Sequence, residues 1–311
     1  MINKKTKIVV LMGGPSTEAE VSRNTGTAIS NALSSLGYSV IPMEYDPSHV
    51  VENLKEAKAE AVFIALHGKY GEDGTIQSVL ELVGIPYTGS GVTSSAITMD
   101  KIMTSYLFKQ AGMPMAHSKP YYLKNGIAEN ARDICENFSF PVVLKPACEG
   151  STIGIEIVRA KEDLEAALER AFKVESRILA EDYLDGDEFT VSVLDGKALP
   201  VIKICPHSGQ YDYHSKYTKG ATDYIVPAPV SKELSDEMSR IAERGYAVCE
   251  CKGAVRFDFK TDKEGRPFVL EANSIPGMTA TSLVPKAAAA AGISFPELCE
   301  KILMEADLHK V

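Results

Sequence analysis

The sequence predicts a mixed α/β and α+β protein in three domains, the first of which is an N-terminal parallel α/β domain. The chain has 311 residues, enough for two or three domains of about 100–200 residues each. Its first third alternates short apolar runs with helical segments, which is typical of a parallel sheet covered on both faces. The later two thirds contain strand-like pairs joined by turns. We expect domains at 1–98, 99–186 and 187–311.

The elements of the first domain follow from hydrophobic spacing. Residues 7–12 are apolar and rich in β-branched side chains, which predicts a strand that Gly13 ends. From Val21 to Leu36 apolar residues recur at helical spacing, and Gly37 provides a C-terminal stop. The alternation continues with strands predicted at 38–43 and 61–66 and helices at 51–58 and 75–83.

The middle and last thirds carry similar signals. The pattern predicts middle-third helices at 100–111 and 164–172 and strands at 141–145, 153–158 and 178–181. It predicts last-third strands at 189–194, 199–205, 254–260 and 267–273 and a helix at 234–246. Asp185-Gly186-Asp187 is typical of a hinge or turn. Segment 206–222 is long for a connection without structure of its own, which favours a lid.

Charge and cysteine content restrict the class of partner. The formal net charge is −9, which disfavours nucleic acid and anionic membranes. No apolar stretch approaches the roughly 18–20 residues that span a bilayer, and no secretory signal is evident. The six cysteines lack Cys-x-x-Cys spacing, so a zinc site is not expected. We therefore expect a cytoplasmic protein that acts on small molecules.

The two strands at 254–260 and 267–273 carry the most informative polar residues. Residues two apart share a face of a strand, so Arg256 and Asp258 point to one side. Glu271 and Asn273 likewise share a side, and pairing about the turn would place Asp258 opposite Glu271. Hard oxygen ligands of this kind suit Mg²⁺, and Arg256 beside them would stabilise negative charge. Taken alone, the pattern also fits a salt-bridged surface hairpin.

A glycine-containing segment at 145–154 has the composition of a phosphate site. Its glycines let backbone N–H groups approach phosphate oxygens, and Lys145 can reach the same oxygens. It is neither a Gly-x-x-x-x-Gly-Lys-Ser/Thr loop nor a dinucleotide fingerprint. Taken alone, it also fits a plain glycine hairpin. The acidic segment 181–188 fits either an adenine and ribose site or an interdomain linker.

Seven segments along nearly the whole chain, taken in order, resemble the ATP-grasp ligases and, within them, the D-alanine–D-alanine ligase family. They are 13–22 (GGPSTEAEVS), 67–74 (HGKYGEDG), 87–91 (YTGSG), 99–101 (MDK), 145–154 (KPACEGSTIG), 211–217 (YDYHSKY) and 270–279 (LEANSIPGMT). The resemblance implies the three-domain ATP-grasp fold, with ATP between the second and third domains. The chain departs from the family at Ala19, where relatives often carry arginine, and at Tyr183, where some carry tryptophan.

The resemblance implies a role for each matching residue. ATP would be bound by Lys101, Lys145, Glu181, Leu184 and Glu188. Two Mg²⁺ ions, or Mn²⁺, would be bound by Asp258, Glu271 and Asn273. The amino-acid substrates would be bound by Glu20, His67, Gly277, Ser282 and Leu283. The catalytic residues would be Glu20, Ser151, Lys216, Tyr217 and Arg256, with Glu20, Ser151 and Tyr217 in one hydrogen-bonded triad.

The implied reaction is the ATP-dependent ligation of two D-alanines through a D-alanyl phosphate, for peptidoglycan precursor synthesis, by a homodimer. The alternatives are a D-alanyl-D-serine or D-alanyl-D-lactate ligase, another carboxylate–amine ligase of the fold, and a non-catalytic nucleotide-binding protein. Tyr217 disfavours the lactate enzyme, and Glu20 with His67 disfavours the other ligases. The retained metal ligands and Arg256 disfavour the non-catalytic protein.

Overall fold

The computed structural model describes residues 2–209, 215, 218 and 220–309. Lys216 and Tyr217, for which the family resemblance implies catalytic roles, lie outside the described residues. So does much of the predicted lid at 206–222. Within the described ranges, no helix is both long enough and apolar enough to cross a membrane.

A parallel sheet forms the N-terminal part of the chain. Its elements are β1 (Lys7–Met12), α1 (Ala19–Ser35), β2 (Ser39–Glu44), α2 (Val50–Ala57), β3 (Ala61–Ile64) and α3 (Thr75–Val83). β1 lies between β2 and β3 and pairs with both in parallel. Because successive side chains alternate, Ile8 and Val10 pack with α1, whereas Val9 and Leu11 pack with α2 and α3. The predicted parallel α/β arrangement is therefore confirmed.

The middle of the chain contains an antiparallel sheet and four α-helices. Its elements are α4 (Val92–Met99), α5 (Lys101–Gln110), β4 (Ser118–Tyr122), α6 (Ile127–Asn137), β5 (Val142–Pro146), β6 (Glu156–Val158), α7 (Leu164–Val174) and β7 (Arg177–Asp182). The strand order is β4-β7-β5-β6, and α6 and α7 share one apolar core with it. Asp100 caps α5 by accepting hydrogen bonds from the N–H groups of Ile102 and Met103 at 3.0 and 3.1 Å, which fixes the start of the helix at Lys101.

The last third forms a second, longer antiparallel sheet. Its elements are β8 (Glu188–Leu194), β9 (Lys197–Ala198), β10 (Ile202–Pro206), β11 (Thr222–Ile225), α8 (Lys232–Val248), β12 (Ala254–Thr261) and β13 (Pro267–Asn273). The order is β11-β10-β8-β12-β13, and β9 pairs with β8. Val255, Phe257 and Phe259 are fully buried in a core that includes residues of α8. The opposite face of β12 and β13 is therefore the one that carries the polar side chains.

Two C-terminal helices, α9 (Leu283–Ala290) and α10 (Phe295–Met304), return the chain to the N-terminal sheet. Val284 and Leu298 belong to the same buried cluster as Ile8 of β1 and Ile204 of β10. Beyond α10, Asp307 pairs with Tyr87 in an isolated antiparallel bridge. The N-terminal sheet and the last third of the chain thus share one apolar core.

The turn from β7 to β8 is packed too closely for a side chain at Gly186. A Cβ atom there would lie 2.2 Å from Oγ1 of Thr261 and 2.5 Å from its carbonyl oxygen. The Gly186 N–H group donates to that same carbonyl at 3.0 Å. The turn therefore packs directly against the C-terminal end of β12.

We predict that Gly186→Ala lowers the free energy of unfolding by about 1–3 kcal/mol, because the added methyl group forces the turn away from β12. Chemical denaturation followed by circular dichroism measures the change. Asp185→Ala is the matched control, since within the described ranges the Asp185 carboxylate has a single, exposed ion pair, with Lys263 at 3.8 Å. Equal midpoints for the two variants would contradict the close packing at Gly186.

Candidate active site

Two adjoining cavities lie between the sheets. One has a volume of about 340 Å³ and has walls from the N-terminal and C-terminal parts of the chain. The other measures about 580 Å³ and lies between the middle sheet and the C-terminal sheet. Both volumes are in the range of small-molecule sites. The two cavities have a common wall made of Lys101, Glu149, Gly150, Ser151 and Glu271.

The larger cavity contains a buried ion pair. Nζ of Lys145 on β5 lies 2.5 Å from Oε2 of Glu181 on β7, and the two side chains are 11% and 5% exposed. Burial by itself would lower the pKa of Lys145, but the carboxylate of Glu181, with Glu271 and Glu188 nearby, outweighs burial and leaves the pKa raised. Lys145 is therefore a permanently charged cation in the wall of this cavity.

The rest of the larger cavity combines an apolar wall with charged groups at its edge. Glu188 begins β8 directly opposite Lys260 of β12, and Nζ of Lys260 lies 3.2 Å from Oε1 of Glu188. The apolar part of the wall includes Val143, Ile157 and Leu184. Such a slot suits a flat apolar ring that carries polar substituents at one end.

The connection between β5 and β6 has the backbone of an anion site. Ser151, Thr152 and Gly154 have φ values of +51°, +66° and +70°, in the left-handed region that non-glycine residues seldom adopt. Such a conformation turns neighbouring N–H groups toward one side, as in many phosphate sites. Lys101 reaches the same loop, since its Nζ donates to the carbonyl of Glu149 at 2.7 Å. The predicted phosphate loop and its two lysines are thus close together.

The β12–β13 hairpin has the predicted register. Asp258 pairs with Glu271 and Arg256 with Asn273, and a bulge follows Asp258. Arg256 donates to both carboxylate oxygens of Asp258 at 2.8 Å. Asp258 and Glu271 line the larger cavity, whereas Arg256, Glu271 and Asn273 line the smaller one. The polar face of the hairpin therefore extends from one cavity into the other.

The oxygen atoms of this face fit a divalent cation. The side-chain oxygen of Asn273 is buried and has no hydrogen-bond partner among the described residues. A buried amide oxygen is costly to leave unpaired, and a cation would satisfy it. No cluster of three or more His, Cys, Asp or Glu side chains in the described part of the chain forms a metal site. The two hairpin carboxylates therefore need a further oxygen, and Asn273 lies next to them.

His67 is buried in the wall of the smaller cavity and is fixed by its hydrogen bonds. Its Nδ1 lies 3.0 Å from the carbonyl oxygen of Ile275, so this nitrogen carries the proton that it donates. Its Nε2 lies 3.0 Å from Oγ1 of Thr25, whose hydroxyl donates when the ring is neutral. An oxygen of the Glu72 carboxyl lies 3.5 Å from Nδ1 of His67. Burial raises the pKa of Glu72, and the hydrogen bond and charge interaction with His67 only partly offset this rise.

The first-domain glutamate that contacts the phosphate loop is Glu18. Oγ of Ser151 donates to Oε1 of Glu18 at 2.5 Å, and Glu18 lines the smaller cavity. The expectation that Glu20 makes this bond is wrong: Glu20 is an exposed residue in the first turn of α1. Glu18 precedes the helix in the preceding loop, where its side chain can cross to Ser151. The motif GGPSTEAEVS contains both glutamates, so its spacing alone does not distinguish them.

The far end of the smaller cavity is formed by the start of α9. Ser282 is the N-cap residue and Leu283 the first helical residue, and both line the cavity together with Gly277. The N–H groups of a first helical turn have no partner within the helix and attract anions. Oγ of Ser282 lies 3.0 Å from the N–H group of Thr279. This end of the cavity suits a carboxylate.

The walls of the two cavities contain most of the described residues that the sequence singled out. Lys101, Ser151 and Glu271 line both cavities. Those that line the smaller cavity but not the larger are His67, Arg256, Asn273, Gly277, Ser282 and Leu283. Those that line the larger cavity but not the smaller are Lys145, Glu181, Leu184, Glu188 and Asp258. Sequence reasoning missed Glu18, and it also missed Thr190, which donates to Asp258 at 2.7 Å. Thr190 has no motif signal of its own, and only strand pairing reveals it.

Comparisons with known proteins agree with this geometry. A family model described as "D-ala D-ala ligase C-terminus" matches residues 107–304, and one described as "D-ala D-ala ligase N-terminus" matches residues 50–90. A protein from Syntrophotalea carbinolica named D-alanine–D-alanine ligase is 46% identical over 308 residues, covering 99% of this chain and 98% of the relative.

Solved structures show the same likeness. D-alanine–D-alanine ligase from Bacillus anthracis, complexed with ATP, superposes with a TM-score of 0.85 at 34% identity, covering 96% of this chain and 97% of that one. The VanG D-Ala:D-Ser ligase from Enterococcus faecalis superposes with a TM-score of 0.83 at 29% identity, covering 96% and 99%. The ATP-grasp fold expected from the motifs is confirmed. This chain belongs to the D-alanine–D-alanine ligase family.

Proposed function

We propose that this protein is an ATP-dependent ligase that joins two D-alanines to D-alanyl-D-alanine and releases ADP and phosphate, as a step in peptidoglycan precursor synthesis. The observation that carries the proposal is the common wall of the two cavities. Lys101, Ser151 and Glu271 border both of them, so a nucleotide phosphate in the larger cavity would meet a carboxylate in the smaller one. Family membership supports the same reaction.

ATP is the proposed occupant of the larger cavity, and the structure of the Bacillus anthracis relative is a complex with ATP. The apolar wall around Leu184 suits adenine, and Glu188 suits the ribose hydroxyls. The left-handed turn at Ser151 and Thr152 would direct N–H groups at the phosphates. Lys145 and Lys101 add positive charge on two sides of the loop.

Mg²⁺ or Mn²⁺ is the proposed metal, with two ions in contact with Asp258, Glu271 and Asn273. The unpaired buried oxygen of Asn273 and the two neighbouring carboxylates support this assignment. When bound, such ions would neutralise charge on the phosphate oxygens. Lys101, at 3.4 Å from Oε2 of Glu271, would balance the acidic pair from the opposite side.

The smaller cavity is the proposed site of both D-alanines. The start of α9 at Ser282 and Leu283 would bind the carboxylate of the second, because helix N-termini attract anions. Glu18, which lines the same cavity, would attract the ammonium group of the first. His67 would contact the same substrate from a ring that Thr25 and Ile275 hold in place.

The reaction would proceed in two steps. The carboxylate of the first D-alanine attacks the γ-phosphorus of ATP, which gives D-alanyl phosphate and ADP. The amine of the second attacks the acyl carbon, phosphate leaves, and the amine loses a proton as the peptide bond forms. Lys145 and Arg256 would offset charge in the first step, and Arg256 would stabilise the tetrahedral oxyanion in the second. The Glu18–Ser151 contact would help exclude water from the labile acyl phosphate.

The remaining expectations from the sequence become part of this proposal. They are a homodimer, a cytoplasmic location, domain boundaries near 98 and 186, and a lid at 206–222 that carries Lys216 and Tyr217. The Tyr217–Ser151 contact also stays a prediction. The corrected first-domain partner of Ser151 in the triad is Glu18.

The first test is the choice of second substrate. We expect ATP, Mg²⁺ and D-alanine to release phosphate and to give D-alanyl-D-alanine, identified by mass spectrometry. Parallel reactions contain D-alanine with D-serine or with D-lactate. A mixed product that exceeds D-alanyl-D-alanine at equal concentrations would contradict the proposed specificity. Failure to release phosphate with any of these substrates would contradict the ligase activity itself.

The two glutamates of the first motif provide a matched pair of variants. We predict that Glu18→Gln raises KM for D-alanine and lowers kcat by about 10- to 100-fold in total, because it removes a charged acceptor of Ser151 that faces the substrate. Glu20→Gln, an equally small change on an exposed helical residue, should leave both constants within about twofold of wild type. Steady-state phosphate release measures both variants. The reverse ranking would restore Glu20 as the functional residue.

Arg256 provides a test of charge stabilisation. We predict that Arg256→Ala lowers kcat by about 100- to 1,000-fold, the usual effect of removing one oxyanion donor. ATP binding, measured by calorimetry, should change little, because Arg256 lines the smaller cavity rather than the nucleotide slot. Arg256→Lys should recover only part of the rate, since lysine lacks the planar pair of donors. Full activity of Arg256→Ala would exclude the proposed role.

A further inference from the structure

We propose that Thr190, on β8, is a positioning residue that orients the Asp258 carboxylate for the divalent cation. The inference rests on the proposed function, since it concerns the metal that ATP brings to the hairpin. Thr190 is fully buried and lies outside the β12–β13 hairpin that carries the predicted metal ligands. It belongs to the neighbouring strand, where it pairs directly with Asp258.

The hydroxyl of Thr190 has one proton and two acceptors within reach. Oδ1 of Asp258 lies at 2.7 Å and the carbonyl oxygen of Phe257 at 3.1 Å. The shorter distance and the negative charge of the carboxylate favour Asp258 as the acceptor. The hydrogen bond of Thr190 therefore goes to the side chain that we expect to bind metal.

The bonds to Asp258 leave one direction open for a cation. Each carboxylate oxygen has about two lone-pair directions. Oδ1 accepts from Thr190 and from Nε of Arg256, and Oδ2 accepts from Nη2 of Arg256. Among the described residues, Oδ2 thus has the remaining acceptor direction. We expect Asp258 to bind the cation through Oδ2 while Thr190 fixes Oδ1.

Thr190 and Arg256 both donate hydrogen bonds to Asp258, but they differ in their other proposed roles. Arg256 is also proposed to offset charge on the reacting groups, so its guanidinium has a second role besides its contact with Asp258. Thr190 is fixed by strand pairing, has a short β-branched side chain and is excluded from water. The bond from Thr190 to Asp258 therefore depends on strand pairing and not on a group that is proposed to act on the substrates. Hydrogen bonds to metal ligands of this kind usually change metal affinity about 10- to 100-fold.

The test measures Mn²⁺ affinity in the full-length protein with saturating ADP, by electron paramagnetic resonance of free Mn²⁺. Thr190→Val keeps the shape and removes the hydroxyl, and we expect the Kd for Mn²⁺ to rise about 10- to 100-fold. Thr190→Ser keeps the hydroxyl and should remain within about threefold of wild type. An unchanged ADP affinity in the absence of metal verifies that Thr190→Val retains the fold.

Ser192 provides a matched control on the same strand. It lies two residues further along the same face, is 1% exposed, and its hydroxyl has no hydrogen-bond partner among the described residues. Ser192→Ala should therefore leave the Kd for Mn²⁺ unchanged. Wild-type affinity in Thr190→Val, or an equal loss in Ser192→Ala, would overturn the role of Thr190. If wild-type protein bound no Mn²⁺ with ADP, the proposed metal site itself would fail.

Discussion

The pairing of β12 with β13 is the constraint on which the site depends. The register places Asp258 opposite Glu271 and Arg256 opposite Asn273, so four polar groups occupy one small area. A shift of either strand by one residue would turn that strand's polar side chains to the apolar face and bury charge without partners. Phe257 and Phe259, fully buried on the other face, make such a shift very unfavourable. The core that stabilises the hairpin therefore also fixes its chemistry.

Charge within the site is balanced in pairs before any ligand arrives. Lys145 contacts Glu181, Arg256 contacts Asp258, and Lys101 approaches Glu271. Each pair joins a cation and an anion that would be costly to bury alone. A ligand that carries phosphates and metal can exchange with these pairs without creating an isolated charge. The arrangement favours a substrate that brings both signs of charge together, as a metal-bound nucleotide does.

The common wall links parts of the chain that are distant in sequence. Ser151, from the connection of β5 and β6, contacts Glu18 of the N-terminal segment, 133 residues away. The helices α9 and α10 bring the last residues back against the N-terminal sheet through one apolar core. The smaller cavity lies between these contacts, so its shape depends on how the N-terminal part packs against the rest. The two adjoining cavities are thereby linked through packing as well as through the Ser151–Glu18 contact.

The sequence alone determined the elements with strong periodicity, including β1, α1, α3 and both strands of the hairpin, because spacing of apolar residues follows directly from which face is buried. It also determined the hairpin register. It did not predict α4, α6, α9 or α10, and the last two are buried against β1 and β10, which are far away in sequence. Only the tertiary structure decided between Glu18 and Glu20, since both belong to one motif but only Glu18, among the described contacts, accepts a hydrogen bond from Ser151. Only the tertiary structure revealed Thr190 as well, because the local sequence of a strand indicates which of its faces is buried but not which strand pairs with it.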